Sequence, residues 1–237
     1  MLELLKHKSF DKDKVFSQAL ERRHASWGDI VTYSRKIFVP LTNMCRDTCS
    51  YCTFVKDPRS KSAKILDPDS VIEIVRLGER SGCKEVLLSL GEKPELRYEK
   101  AREELRKFGF STMVEYLRFI CELILNNSTL LPHINAGTLS AEEILSLKSV
   151  SASMGMMLEN TSRRLTKKGM PHFACPDKVP VQRVRTMNNM GKLKVPFTTG
   201  ILVGIGETWE ERIGTIKAIE ESHRRYGHVQ EVIIQNF

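Results

Sequence analysis

The stretch 36-KIFVPLTNMCRDTCSYCTF-54 joins a short apolar run to three closely spaced cysteines. Its first part, residues 36–41, is apolar and β-branched, which predicts a buried strand. Cys45, Cys49 and Cys52 follow at once with the spacing C-x3-C-x2-C. Because polar residues surround them, this spacing predicts a loop on which three thiolates converge on one small object.

The nature of that object has three candidate answers. Structural zinc normally takes four ligands as two separated pairs, and no second pair or nearby His completes such a set. Three buried thiols without a ligand fit poorly among Asn, Arg, Asp, Thr and Ser. A 4Fe-4S cluster needs four ligands, so three cysteines leave one iron open to a non-protein ligand. We favour the cluster, with zinc and structural thiols as alternatives.

The other three cysteines have different surroundings in the sequence. Cys121 lies on the apolar face of a predicted helix and Cys83 lies just ahead of a predicted strand, so both are predicted to be core residues. Cys175, in 169-GMPHFACPD-177, lies in a loop after the fourth predicted strand. It remains a weaker candidate for the site.

The composition excludes several classes of protein. At 237 residues, 41% hydrophobic and 28% charged, the chain resembles one ordinary globular domain. Its formal charge of +8 is dispersed, with acids among the bases, which is typical of a solvated surface rather than a nucleic-acid interface. No stretch approaches the roughly 18 apolar residues of a membrane span, and no signal-peptide core opens the chain. We therefore predict a cytoplasmic protein that binds neither nucleic acid nor membrane.

Apolar, β-branched runs alternate with segments of helical period. This order predicts a parallel α/β sheet with right-handed crossovers, forming a partial (β/α)6 barrel of TIM type. In such folds the chemistry gathers at the carboxyl ends of the strands. The predicted strands are 36–41, 84–90, 130–135, 150–158, 195–203 and 229–235. The main predicted helices are 69–82, 111–127, 140–148 and 207–226. The N-caps predicted for the first three helices are Asp69, Ser111 and Ser140.

Two predictions concern the ends of the sequence. Residues 1–28 are predicted to form one or two helices, an N-terminal extension before a core domain of residues 29–237. The sixth predicted strand has no following helix to cover its outer face. We therefore expect the sequence to be truncated after that strand.

The cysteine motif, with Tyr51 before its last cysteine, resembles the signature of the radical S-adenosylmethionine (SAM) superfamily. Longer stretches resemble the CofG-type radical SAM subunit of 7,8-didemethyl-8-hydroxy-5-deazariboflavin (FO) synthase, from about residue 30 to the last residue. Members of that family continue beyond this point, which agrees with the expected truncation. The stretches are 33-YSRKIFVPLTNMCRDTCSYCTF-54, 89-SLGEKPELRY-98, 198-TTGILVGIGETWEERI-213 and 231-EVIIQNF-237.

The resemblance implies a role for each matching residue. Cys45, Cys49 and Cys52 would hold a 4Fe-4S cluster whose open iron is chelated by SAM. Gly91 and Glu92 match a Gly-Gly-Glu motif for the SAM ammonium, with Leu90 in place of the first glycine. The remaining implied cofactor residues are Tyr51 beside the cluster, Glu159 for the ribose, Arg183 for the carboxylate, and Gly200 and Gly204 for the adenine and ribose.

The resemblance also implies the reaction. One electron from the cluster would cleave SAM to methionine and a 5′-deoxyadenosyl radical, which abstracts hydrogen from the substrate. That substrate would be the adduct of tyrosine and 5-amino-6-ribitylamino-uracil made by a CofH-type partner, and ring closure with loss of ammonia would give the deazaflavin of coenzyme F-420. An electron donor is a further implied partner.

Two alternatives to this function stay open. Another radical SAM enzyme, of biotin-synthase or hydrogenase-maturase type, would share the cluster and SAM motifs. A non-enzymatic zinc-binding module would not bind SAM. Candidates for substrate contacts, chosen because they lie near predicted strand ends or loops at the mouth, are Tyr98, His133, Asn135 and His172.

Overall fold

Six parallel strands form the framework that positions the candidate site. The computed structural model describes residues 11–237. Within this range the strands are β1 (Lys36–Thr42), β2 (Glu85–Leu90), β3 (Leu131–Asn135), β4 (Ser153–Gly155), β5 (Phe197–Val203) and β6 (Val229–Asn236). They pair in chain order, β1-β2-β3-β4-β5-β6, and each neighbouring pair is parallel.

Helices connect these strands. The α-helices of the described residues are α1 (Lys12–Trp27), α2 (Pro68–Arg80), α3 (Glu99–Lys107), α4 (Met113–Asn127), α5 (Ala141–Lys148), α6 (Pro180–Lys192) and α7 (Trp209–Tyr226). Short 3-10 helices occur at Pro94–Leu96, Arg163–Thr166 and Pro176–Lys178. Two helices, α3 and α4, separate β2 from β3, whereas a single α-helix follows each of β1, β3, β4 and β5.

The predicted α/β class and the partial (β/α)6 barrel are confirmed. The pairing ends at β1 and β6, and the described residues show no ladder between these two strands. All crossovers therefore place the carboxyl ends of the strands on one rim of an open sheet. The cysteine loop begins directly after Thr42, on that rim.

Several element boundaries differ from the prediction. The strand predicted over 150–158 is only Ser153–Gly155, because the ladder to β5 is interrupted and resumes as an isolated bridge from Glu159 to Ile201. The N-caps of α2 and α4 are Asp67 and Thr112 rather than Asp69 and Ser111. The Thr112 cap is favoured because its side chain and that of Glu115 form a reciprocal capping box.

Helix α3 was not among the predicted helices, although its sequence is strongly charged and helix-forming. It buries Ala101 and Leu105 against the core, and its charged side chains are exposed or half-buried. The core itself lies between the sheet and the helices, and it includes Leu41, Leu88 and Tyr116, all fully buried. Burial of these side chains holds the rim residues in place.

The chain divides into two compact units, one up to Ser34 and one of Arg35–Phe237. In the first unit, α1 begins at the Asp11 cap and ends at Gly28. It accounts for residues 12–27 of the segment predicted to be helical, while residues 1–10 lie outside the described part of the chain. The division into an extension of 1–28 and a core of 29–237 stays a prediction.

The last strand differs from the others in exposure. Every residue of β6 after Val229 is exposed, including Val232, Ile233 and Ile234. By contrast, six of the seven residues of β5 are buried. In the range 11–237, no helix has both the length and the apolar composition required to cross a bilayer.

Candidate cofactor site at the carboxyl rim of the sheet

The three cysteines lie at the mouth of a cavity of about 330 Å³ at the carboxyl rim. Cys45 is buried, Cys49 is half-buried and Cys52 is exposed. The backbone N–H of Glu92 donates to Cys45 Sγ at 3.1 Å. Burial raises the pKa of Cys45 to about 12, so this thiol stays protonated at neutral pH unless a positive metal centre binds it.

The spacing of the three thiols bears on the zinc alternative. Tetrahedral zinc holds its sulfur ligands about 3.8 Å apart, given a Zn–S bond of about 2.3 Å. Among the described residues, the three Sγ atoms do not form a group within 4.8 Å of one another. At least one pair of these Sγ atoms is therefore farther apart than one tetrahedral zinc ion would hold it.

A segment after β4, residues 171–178, braces the cysteine loop, and we call it the bracing segment. The N–H of Ser50 donates to the Pro171 carbonyl at 3.1 Å. The Tyr51 hydroxyl lies 3.0 Å from His172 Nε2. His172 is buried, and its burial lowers its pKa to about 4, so it is neutral at neutral pH. His172, a candidate substrate residue, thus contacts the cysteine loop through Tyr51.

The same segment brings a fourth cysteine against the loop. The Thr48 N–H donates to Cys175 Sγ at 3.3 Å. A hydrogen bond between the Cys49 and Cys175 thiols raises the pKa of Cys49 and lowers that of Cys175 to about 7. Cys175 is buried and does not line the cavity, so it stands behind the three predicted ligands.

An ion pair completes the brace. The Arg46 guanidinium binds both carboxylate oxygens of Asp177, and Arg46 is itself in the cysteine loop. The Asp177 side chain is 5% exposed. A bidentate pair of this kind fixes the orientation of both groups, so the loop and the bracing segment are held in one register.

Glu92 follows β2 and points its carboxylate into the cavity region. Glu92 Oε1 accepts hydrogen bonds from the Thr138 N–H at 2.6 Å and the Thr138 hydroxyl at 2.8 Å. Burial, reinforced by the charge of Asp177, raises the pKa of Glu92 to about 7. A buried carboxylate of this type is stabilised in its ionised form by a cationic ligand.

Two glycines permit close packing on either side of Glu92, Gly91 against the cysteine loop and Gly137 against the Glu92 carboxylate. A Cβ on Gly91 would lie 2.0 Å from the Met44 carbonyl, so the chain packs against the cysteine loop only with glycine there. A Cβ on Gly137 would lie 1.9 Å from Glu92 Oε2. Gly137 and Thr138 were missed by sequence reasoning, although 135-NAGT-138 at the end of a predicted strand was a usable signal.

A carboxylate of the cysteine loop, Asp47, lies near Glu92 and supports a cationic ligand. Asp47, Glu92 and Asp177 are all buried and each places one carboxylate oxygen within 4.8 Å of the other two. Asp47 Oδ2 is buried and has no hydrogen-bond partner. An orphaned acceptor among acids fits the ammonium group of an amino acid ligand such as SAM. Asp47 was not predicted, because it carries no motif of its own.

Glu159 is held in an uncommon backbone conformation. Its φ is 66°, a left-handed value that non-glycine residues rarely adopt. Two hydrogen bonds to β5 maintain it, from the Glu159 N–H to the Gly200 carbonyl and from the Leu202 N–H to the Glu159 carbonyl, both 3.1 Å. Strain that the surrounding structure maintains in this way is frequent at ligand sites.

The Glu159 side chain meets a lysine. Lys178 Nζ lies 2.6 Å from Glu159 Oε1. Burial opposes ionisation most strongly, yet the charges of Lys178 and Arg183 hold the pKa of Glu159 below its ordinary value. Arg183 is buried and donates to the carbonyls of Met157 and Asp177.

The cavity collects most of the predicted cofactor residues. Gly200 and Gly204 are not among its lining residues. A Cβ on Gly200 would lie 2.0 Å from the Ile233 carbonyl, so this glycine permits close approach of β5 and β6, and its adenine contact stays a prediction. The predicted residues that line the cavity are Cys45, Cys49, Tyr51, Cys52, Gly91, Glu92, Glu159 and Arg183, and the unpredicted ones include Asp47, Phe54, Gly137, Met157, Lys178 and Gln235.

Besides His172, described above, the three other candidate substrate residues lie in three different places. Asn135 lines the cavity. Tyr98 lines a different cavity, of about 330 Å³, together with Asp47 and Cys52. His133 precedes Asn135 by two residues on β3 and is buried. Its Nδ1 lies 2.7 Å from the Ser153 hydroxyl. Of these three, only Asn135 is in direct contact with the cofactor cavity.

Comparison with known proteins agrees with this geometry. The model of the Radical SAM superfamily matches residues 39–219. A 7,8-didemethyl-8-hydroxy-5-deazariboflavin synthase from Methanopyrus kandleri is 49% identical over 208 residues, 88% of this chain and 62% of that protein. An FO synthase from Mycobacterium tuberculosis is 48% identical over 221 residues, 91% of this chain and 26% of that protein. The chain thus spans less than two thirds of either relative.

A solved structure shares the fold. The hydrogenase maturase HydG from Carboxydothermus hydrogenoformans superposes with a TM-score of 0.77 at 19% identity, covering 98% of this chain and 51% of that one. At this identity the likeness supports the architecture alone. The six-stranded partial barrel is therefore an arrangement found in a protein of known structure.

Proposed function

The chain belongs to the radical SAM superfamily, and from that premise we propose that it is the part of an FO synthase that cleaves SAM and starts deazaflavin formation. The support from sequence is its similarity to the two synthases named above. The support from structure is one observation: the cysteine loop, Glu92 and Glu159 border a single cavity. A cluster ligand set and two acids suited to SAM therefore face the same space.

The cysteine loop would hold a 4Fe-4S cluster through Cys45, Cys49 and Cys52. When bound, the cluster would supply one electron for reductive cleavage of the C5′–S bond of SAM, the chemistry that would allow hydrogen abstraction from the substrate. The bracing segment keeps the loop in position through the Arg46 and Asp177 ion pair. The glycine at position 91 lets the loop lie directly against the end of β2.

The acids and bases of the cavity would orient SAM. Glu92, with the orphaned Asp47 oxygen beside it, would accept the α-ammonium. Glu159 would accept the ribose hydroxyls, and Arg183 would interact with the SAM carboxylate. Each assignment matches a charge on the ligand with the opposite charge or an acceptor on the chain, which is what a buried polar site requires.

The substrate would enter beside Asn135 and Gln235, which line the cavity from β3 and β6. We propose the adduct of tyrosine and 5-amino-6-ribitylamino-uracil, supplied by a CofH-type partner, with ring closure and loss of ammonia after hydrogen abstraction. An external one-electron donor would reduce the cluster. The exposed position of Cys52 gives that donor a short route to it.

Anaerobic reconstitution with iron and sulfide tests the proposal. We expect a brown protein that, with dithionite and SAM, forms 5′-deoxyadenosine. Cys49→Ala should lose both the colour and the product, because it removes one of three ligands. Cys83→Ala is the matched control, since Cys83 is a half-buried cysteine outside the cavity, and it should keep both properties.

Two results would count against the proposal. A colourless chain with stoichiometric zinc would replace the cluster by a structural metal. A cluster that forms equally well in Cys49→Ala and in the unchanged chain would show that the loop is not its ligand set. Addition of the tyrosine adduct, with deazaflavin fluorescence as the readout, then tests the substrate.

A further inference from the structure

Lys178 lies in the cavity and has no role in the mechanism outlined above. We propose that Lys178 is a positioning residue for Glu159, which it keeps ionised and directed at the ribose hydroxyls of the bound nucleoside. This inference rests on the proposed function, because it concerns the adenosine part of SAM. It adds a residue that neither the cysteine motif nor the glycine motifs contain.

The contact between the two side chains is short and shielded from water. Lys178 Nζ lies 2.6 Å from Glu159 Oε1. The Lys178 side chain is 15% exposed and that of Glu159 is 10% exposed. Both residues line the cavity. An ammonium beside a shielded carboxylate favours the ionised acid, which is the stronger hydrogen-bond acceptor.

The backbone of Glu159 does not depend on Lys178. Its left-handed conformation is held by two hydrogen bonds to β5, at Gly200 and Leu202. Only the direction and charge of the side chain are left for Lys178 to determine. A change at Lys178 therefore acts on the carboxylate without dismantling the strand pairing that carries it.

Among the residues from 11 to 237, no other cation that lines the cavity contacts the Glu159 carboxylate. Arg183 also affects Glu159 electrostatically, but its guanidinium donates to the Met157 and Asp177 carbonyls. Lys178 has only donors, so it occupies Oε1 and leaves Oε2 for hydroxyl donors of a ligand. A ribose with two adjacent hydroxyls is a ligand group of that kind.

The position of Lys178 is fixed by the bracing segment. It ends the 3-10 helix Pro176–Lys178, directly after the Asp177 that binds Arg46 of the cysteine loop. Its own N–H donates to the Cys175 carbonyl at 3.2 Å. The residue that directs Glu159 is therefore attached to the same segment that braces the cluster loop.

Binding of S-adenosylhomocysteine and its 2′-deoxy analogue to the cluster-loaded chain, measured by anaerobic calorimetry, tests this role. The unchanged chain should prefer the hydroxyl-bearing ligand by about 10-fold, the value of one hydrogen bond to a charged acceptor. In Lys178→Met this preference should fall to about 2-fold or less, and Lys178→Arg should restore most of it. A purely structural role would weaken both ligands equally.

A double-mutant cycle with Glu159→Gln separates action through Glu159 from direct contact with the ligand. If Lys178 acts through Glu159, Lys178→Met should have no further effect on the preference in the Glu159→Gln background. The matched control is Lys36→Met, which removes a lysine paired with Glu85 at 3.3 Å at the opposite end of the sheet. It should leave the preference unchanged.

The outcomes distinguish this inference from the proposed function. An unchanged chain that binds neither ligand would overturn the proposed function, and the inference with it. An unchanged chain that binds with a preference, while Lys178→Met keeps that preference, would overturn the inference alone. If Lys178→Met proves unstable, Lys178→Gln gives the same comparison at lower structural cost.

Discussion

The two ends of the sheet border the same cavity in different ways. At the β1 end, the cysteine loop is tied to Glu92 by a hydrogen bond and to Asp177 by an ion pair, and Thr138 in turn donates to both of these carboxylates. At the β6 end, nearly every side chain is exposed, and only Gln235 among the β6 residues lines the cavity. The proposed ligands of the cluster and of the SAM ammonium thus lie on this densely bonded wall, which we call the rigid wall. In the range 11–237, β6 forms an exposed wall, which we call the open wall.

The difference between the two walls indicates which residues do not tolerate substitution. On the rigid wall, Gly91 and Gly137 leave no room for one methyl group, and Glu92 is satisfied by fixed donors. Preorganisation of this kind avoids reordering the site when a ligand binds. On the open wall, side chains contact solvent, so substitutions there cost little. The following predictions test this contrast.

The largest effect is expected for Gly137→Ala. Its Cβ would lie 1.9 Å from Glu92 Oε2, and its φ of 72° disfavours any side chain. We expect a loss of about 3 kcal/mol in the free energy of unfolding, measured with urea, and weaker SAM binding. Gly109→Ala is the control, since Gly109 has a φ of 87° with no atom within 4 Å. It should cost only about 1 kcal/mol, and equal losses would refute a clash with Glu92.

A smaller effect is expected for Arg46→Met. The change leaves the buried Asp177 carboxylate without its cation, which should lower the free energy of unfolding by about 2 kcal/mol and reduce cluster content after reconstitution. Arg59→Met removes another bidentate pair, with Asp57, that is exposed to solvent. It should change stability by less than about 0.5 kcal/mol. Similar losses of unfolding free energy in both variants would show that the Arg46–Asp177 pair does not stabilise the loop more than an exposed ion pair does.

The smallest effect is expected on the open wall. Ile234 is 67% exposed, so Ile234→Thr should change the free energy of unfolding by less than about 0.5 kcal/mol. Leu88, a fully buried residue of β2, is the contrasting position, and Leu88→Ala should cost about 3 kcal/mol. Thermal or urea unfolding measures both. A large loss for Ile234→Thr would mean that β6 is covered in solution.

Local sequence patterns predicted the frame of the molecule. The apolar runs marked all six strands, and the cysteine spacing marked the loop at the end of β1, because both signals lie within a few consecutive residues. Strand β4 was overestimated, since its apolar run extends to Leu158 although the ladder with β5 ends at Gly155. Helix α3 was missed because its charges conceal the two residues that it buries.

The remaining site residues depend on contacts between distant parts of the chain. Thr138 binds Glu92 across 46 positions, and Lys178 reaches Glu159 across 19. Neither has a motif, and a threonine or lysine of this kind is indistinguishable from a surface residue in one sequence. Only the fold brings these partners together. Glu92 and Glu159 were therefore predictable from the resemblance, whereas Thr138 and Lys178, which contact them, were not.

The contact between Arg46 and Asp177 joins residues 131 positions apart. During synthesis from the amino end, the three cysteines emerge long before the segment that braces them. A nascent chain therefore carries free thiols on an unsupported loop until the chain up to about residue 178 has left the ribosome. Only then can Asp177 pair with Arg46. Cluster insertion is expected to follow that closure, which makes metal loading a late event in the life of the newly made protein.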